Sequence, residues 1–216
     1  MAEPIVVVGD YGSGKTEFSI NLALHLSLKH QVILADLDIV NPYFRSREAV
    51  KILEAQGVEV IFNREWGQAD LPALSPRTDG ALREDKILIL DVGGDDGSIV
   101  LGRYRKQLSQ RQAGIWQVVN CMRPFTANVE GIMDTASRLE HKSGLAVTAL
   151  VNNTNLGRET TAELVLEGAE IVDAAAAKLD IPVLWHCVRP ALLDQLGSRL
   201  DNLLSMEVSL FPADIT

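Results

Sequence analysis

Several features are scarce in this chain, and each scarcity excludes a class of protein. No uninterrupted apolar run reaches the roughly 18 residues of a membrane-spanning helix. Cysteine occurs only at Cys121 and Cys187, too sparse for a disulfide framework and without C-x-x-C spacing for a redox or zinc site. Each closes an expected strand, where it reads as a small buried hydrophobe. The four histidines show no metal-ligand spacing. Positive charge is also short: 20 Lys and Arg face 29 Asp and Glu. From Asn155 onward, Arg158, Lys178, Arg189 and Arg199 are outnumbered by ten acids. Such a surface repels phosphate backbones and anionic lipid, so neither nucleic acid nor membrane is an expected partner. The one basic cluster, Arg103, Arg105, Lys106 and Arg111, reads as a solvated helix face. The N-terminal MAEPIVVVG lacks a basic region and a cleavage site, so the expectation is a soluble cytoplasmic protein.

The remaining composition is that of an ordinary globular chain, and residues 1–216 read as one α/β domain. Seven expected strands (5–8, 31–38, 58–63, 86–94, 115–121, 145–153 and 181–188) alternate with helical patterns at 15–29, 43–56, 98–112, 126–142, 160–179 and 190–205. The stretch 64–80 is rich in Pro, Gly and Asp and reads as a surface flap or a short helix. Alternation of this kind predicts a doubly wound, mostly parallel seven-stranded sheet with helices on both faces and right-handed crossovers. In such sheets ligands gather at the carboxyl ends of the strands.

The first strand runs into GDYGSGKT, residues 9–16, and then a helix. Strand, glycine loop, Lys-Thr and helix in that order match a phosphate-binding P-loop. Glycines let backbone N–H groups turn inward around a β-phosphate, and the helix start adds partial positive charge. Lys15 would reach the β- and γ-phosphates and act in catalysis, and the Thr16 hydroxyl would ligate Mg²⁺. Gly12, Ser13, Gly14, Lys15, Thr16 and Glu17 are the expected nucleotide-binding residues of this segment.

Acids end two further strands. ADLDIV places Asp36 and Asp38 one residue apart, and DVGG places Asp91 before two glycines. Carboxylates beside a triphosphate belong near Mg²⁺ or an attacking water. Asp91 would accept hydrogen bonds from Mg²⁺-bound water, and Gly94 would offer its N–H to a γ-phosphate, so that this loop could sense nucleotide state. Base choice is read at VNNTN, residues 151–155. A guanine site of the N-K-x-D type would put an Asp where Asn155 stands and a Lys where Asn153 stands. An amide carries one acceptor oxygen and no charge, so it cannot pair bidentately with guanine N1–H and N2–H₂. ATP is therefore the expected nucleotide. Asn152 could pair with the adenine edge; the alternative is an Asn-rich β–α turn with no ligand.

Taken together, GDYGSGKT, the D-x-D of ADLDIV, DVGG and VNN resemble, in order and over nearly the whole chain, the MinD/ParA-like division of P-loop NTPases. That division also contains the nitrogenase iron protein and dethiobiotin synthetase. The resemblance implies that Asp38 organises attacking water, that Asp36 supports Mg²⁺, and that Asp91 is the second-strand Mg²⁺ acid. Many members carry a signature lysine immediately after the first loop glycine, which in dimers reaches the partner subunit's phosphates. Here Asp10 stands in that place, so a homodimer would not be built on that lysine. A replacement cation would come from Arg45 or Arg47, from Arg123, or from a partner. Three functions follow. One is a slow Mg²⁺-dependent ATPase switch, cycling between ATP and ADP and read by an unidentified protein partner. Another is an ATP-dependent kinase or ligase resembling dethiobiotin synthetase, with Arg45, Arg47, Arg64 and Arg123 holding a small anionic substrate. The third is a nucleotide-binding scaffold with negligible turnover.

Overall fold

A computed structural model of the chain describes residues 2–37, 47–62 and 76–208. Asp38, Arg45 and Arg64 lie outside the described residues, as does the side chain of Arg47. The strands are β1 (Ile5–Val8), β2 (Val32–Asp36), β3 (Glu59–Phe62), β4 (Ile87–Asp91), β5 (Gly114–Val119), β6 (Ala149–Asn152), β7 (Val183–Val188) and β8 (Leu203–Ser205). They form one sheet in the order β3-β2-β4-β1-β5-β6-β7-β8, with every described pairing parallel. The helices are α1 (Lys15–Ser27), α2 (Arg47–Ala55), α3 (Pro76–Ala81), α4 (Gly94–Gln110), α5 (Val129–Ser143), α6 (Ala162–Leu179) and α7 (Leu193–Leu196).

A parallel sheet must bury both faces, and the two-residue period of each strand divides its side chains between them. Val7, Leu34 and Ile89 pack with Phe18 and Leu22 of α1 and Leu53 of α2. The alternate residues Val6, Ile33 and Leu90 pack with Leu101 and Leu108 of α4 and Leu139 of α5. Further along, Val119 and Leu150 pack with Ile132 of α5 and Val172 of α6. Asp36 and Asp91 continue the first face, so their carboxyl groups lie on the α1 side. Local signals set the helix ends. Asn128 and Thr161 cap α5 and α6 by accepting from the N–H groups of Gly131 and Leu164, and Gly144 closes α5 in the left-handed region.

The sheet has eight strands rather than the expected seven. The correction falls at residues 190–205, expected to be one helix. Leu192, Leu196, Leu200 and Leu203 keep helical spacing, but α7 stops at Gly197. Asn202 then adopts φ 53°, a left-handed turn that asparagine tolerates, and Leu203–Ser205 adds beside β7. The stretch 64–80 ends in the short helix α3, while residues 63–75 lie outside the described residues. Cys121 and Cys187 are both buried free thiols, as their strand-end positions led us to expect.

Candidate functional site

β1 lies between β4 and β5, and the chain winds outward from it in both directions. Its carboxyl end is therefore the point where the strand order reverses, and the loop 9–16 occupies it. Gly9 has φ 152°, and a Cβ there would stand 2.6 Å from the Val118 carbonyl oxygen. Gly14 has φ 85°, and its Cβ would stand 2.2 Å from Asn153 Nδ2. Any other residue would be strained at both positions, which explains why the loop carries glycine there. Gly14 is the N-cap of α1 and makes no side-chain hydrogen bond, so the helix start opens directly onto the loop.

Lys15 opens α1 yet is buried, 8% exposed. Its Nζ donates to the Asp10 carbonyl oxygen at 3.2 Å, an oxygen that also accepts from Ser13 N–H at 3.2 Å. The ammonium thus lies across the inside of the loop. The Asp10 carboxylate points the other way, toward α5. Its Oδ1 accepts from Arg138 Nη2 at 2.6 Å and its Oδ2 from Thr135 Oγ1 at 3.1 Å.

On the other flank, Asp36 of β2 and Asp91 of β4 are direct register partners, 8% and 0% exposed. Ser19 Oγ of α1 donates to Asp91 Oδ1 at 3.3 Å. Two neighbouring buried carboxylates repel each other, an arrangement that a divalent cation relieves. Their oxygen-only character, with the Thr16 hydroxyl on the overlying helix, fits Mg²⁺. These are two acids rather than a complete cage: among the described residues no group of three or more His, Cys, Asp or Glu could hold a metal. A hard cation with water and phosphate oxygens as its remaining ligands suits such a site. Gly94 is the first residue of α4, capped by Gly93 without a side-chain bond, so a second helix start opens beside Asp91.

Three contacts at the loop were not singled out in the sequence. Asn153 Nδ2 donates to the Ser13 carbonyl oxygen at 2.7 Å, tying the end of β6 to the phosphate loop. Arg123 Nε donates to the Gly12 carbonyl oxygen at 3.0 Å from the turn after β5, a contact distinct from the replacement-cation and substrate-holding roles expected of it. The Asp10 clamp on α5 is the third; Thr135 and Arg138 stand three residues apart on one helix face, a spacing too common to draw notice.

Asn152, expected at an adenine edge, is not brought to the mouth of the loop. It is fully buried, and its amide is used within the protein. Oδ1 accepts from Thr154 N–H at 3.0 Å, while Nδ2 donates to the Val165 carbonyl oxygen at 3.4 Å and lies 3.2 Å from His186 Nδ1. With Oδ1 turned to Thr154 N–H, the Nδ2 donor faces His186 Nδ1, a contact that a neutral ring with Nδ1 as acceptor satisfies. Burial lowers the His186 pKa from its ordinary 6.5, opposed by the nearby charges of Asp173 and Asp201. A depressed folded pKa means that the unfolded chain binds the proton more readily below pH about 6.5, so stability is full above that pH and falls as acid is added. We expect the thermal unfolding midpoint to drop on acidification below 6.5, and His186→Gln to flatten that segment of the profile. Identical profiles for the two proteins would contradict the assignment.

No protein-family model matches the chain, and no curated protein sequence does. Solved structures do match in fold. Chloroplast FtsY from Physcomitrella patens superposes with a TM-score of 0.57 at 19% identity, over 85% of this chain and 58% of its own. FtsY from Thermotoga maritima gives 0.55 at 19% identity, over 85% and 60%. FlhF complexed with GTP and Mg²⁺ gives 0.52 at 15% identity, over 85% and 64%. This is a P-loop NTPase fold. The chain spans about three fifths of the length of these FtsY and FlhF structures, and at these identities the likeness concerns the fold. Within that fold, the loop 9–16, the paired acids and the start of α4 lie at the carboxyl ends of the neighbouring strands β1, β2 and β4. Among the described residues, no helix is long and apolar enough to cross a membrane.

Proposed function

We propose that this chain is a Mg²⁺-dependent ATP-binding protein of the MinD/ParA-like kind, hydrolysing slowly and acting as a nucleotide-state switch. The observation that carries this reading is the buried Lys15 ammonium inside the glycine loop, beside the register pair Asp36 and Asp91. A cation buried against a glycine loop is arranged for an anion, and the start of α1 adds to the same field. Thr16, Asp36 and Asp91 would hold Mg²⁺, which when bound would supply charge neutralisation to the phosphates. Lys15 binds and orients the same phosphates. Gly94, the first residue of α4, would offer its N–H to the terminal phosphate, so that α4 could register its presence or loss. Asp38, two residues beyond Asp36 and outside the described residues, would orient the attacking water. Tyr11 and Phe125 are large apolar side chains exposed around the loop mouth, a surface suited to a protein partner that reads the nucleotide state.

The preference for ATP rests on Asn155. Its Oδ1 accepts from Gly157 N–H at 3.1 Å and its Nδ2 donates to the Asn153 carbonyl oxygen at 2.8 Å. The side chain is thus used in its own turn and carries no carboxylate for guanine. Buried polar pairing of that kind is what lets a site reject an analogue strongly, and its absence here removes the basis for choosing GTP. Equilibrium titration of the full chain with Mg²⁺ and each nucleotide is expected to give tighter binding of ATP than of GTP. Equal or tighter GTP binding would overturn the assignment of the base.

A further inference from the structure

The second loop residue is an acid where phosphate chemistry calls for neutral or positive groups. An unrestrained carboxylate at that position would stand at the mouth of the loop and repel an incoming polyphosphate. The structure answers this with two donors from α5. Arg138 Nη2 meets Oδ1 at 2.6 Å and Thr135 Oγ1 meets Oδ2 at 3.1 Å, so both carboxylate oxygens are turned toward the helix. The Asp10 side chain is 17% exposed and that of Arg138 36%. The pair is part-buried, and its consequence for the loop is where the charge points. The backbone of Asp10 completes the link, because its carbonyl oxygen holds Lys15 Nζ at 3.2 Å and Ser13 N–H at 3.2 Å. Carboxylate outward and carbonyl inward, Asp10 joins α5 to the lysine that would meet the phosphates.

We propose that Arg138, assisted by Thr135, is a positioning residue for phosphate binding. It neutralises Asp10 and holds that carboxylate away from the anion, so that the P-loop works without a second loop lysine. The proposal rests on the nucleotide-binding reading above. It assigns α5 a direct electrostatic hold on the loop, and any partner that moves α5 would change phosphate affinity.

The test is equilibrium binding of inorganic tripolyphosphate, which has no base, to the full-length chain and its variants, with ATP in parallel. A unit charge released several ångströms from the phosphates shifts affinity by about tenfold at a partly solvated site. Arg138→Gln is therefore expected to weaken tripolyphosphate binding by about that factor, with Arg138→Lys close to wild type. Asp10→Asn in the Arg138→Gln background is expected to restore binding, because the repelling charge is gone. A purely structural role for Arg138 would not produce that rescue. If Arg138→Gln binds as wild type does, or if the double variant stays as weak as the single one, the proposal is wrong. Should Arg138→Gln fail to fold, Asp10→Asn alone decides: it must bind tripolyphosphate at least as tightly as wild type, and weaker binding overturns the idea. A wild-type chain that binds neither ATP nor tripolyphosphate overturns the nucleotide reading and this inference with it. Wild-type binding of both without the Arg138 effect overturns the inference alone.

Discussion

Lys15→Ala is expected to weaken Mg²⁺·ATP binding by about a hundredfold, close to the ~3 kcal/mol upper range for a hydrogen bond to a charged group. The residue is buried inside the loop, so its ammonium is poorly hydrated and interacts strongly with whatever anion enters. In the free protein it donates to the Asp10 carbonyl oxygen, and with three donors it can keep that bond while meeting phosphate oxygens. The substitution removes the cation but leaves the backbone N–H groups and both helix starts in place, so residual weak binding is expected rather than none. Thermal unfolding distinguishes lost binding from lost folding. An unchanged affinity in a folded variant would mean that residues 9–16 are not a phosphate site.

The acids at the ends of β2 and β4 give the second large effect. Asp91→Ala removes one of two register-paired carboxylates on the α1 face and the acceptor of Ser19 Oγ. The Mg²⁺ enhancement of ATP affinity should then disappear, leaving the metal-free affinity. Asp38→Ala should act differently, keeping Mg²⁺·ATP binding nearly intact while abolishing hydrolysis, because orienting water matters only in the transition state. Titrations with and without Mg²⁺, together with steady-state phosphate release, separate the two. Exchanged phenotypes would mean that the roles of the carboxylates are reversed.

Much of this architecture was legible from local chemistry. The β-branched run Ile5–Val8, the glycines of the loop and the helix after Lys15 each admit few conformations, and their order placed the site at the end of β1. The strand-end acids were equally visible, but that Asp36 and Asp91 are direct neighbours depends on β2 pairing with β4, 55 residues apart in the chain, which no local pattern encodes. The eighth strand was missed because leucines at helical spacing also serve a short turn and an edge strand, and only Gly197 and Asn202 marked the break. Asn152 is ambiguous in the sequence for a related reason. Its identity suits a base-binding amide as well as a buried brace, and its partner His186 comes from another strand. The contact of Asp10 with Arg138 spans 128 residues, so an acid in the loop could be read in the sequence only as a departure, not as half of a pair.

Calorimetric titration of the full-length chain with ATP in the presence of Mg²⁺ tests the central claim most directly. The account predicts saturable binding of one nucleotide per chain, displaced by tripolyphosphate and largely lost in a folded Lys15→Ala variant. Absence of binding at millimolar ATP, or binding that Lys15→Ala leaves untouched, would contradict it.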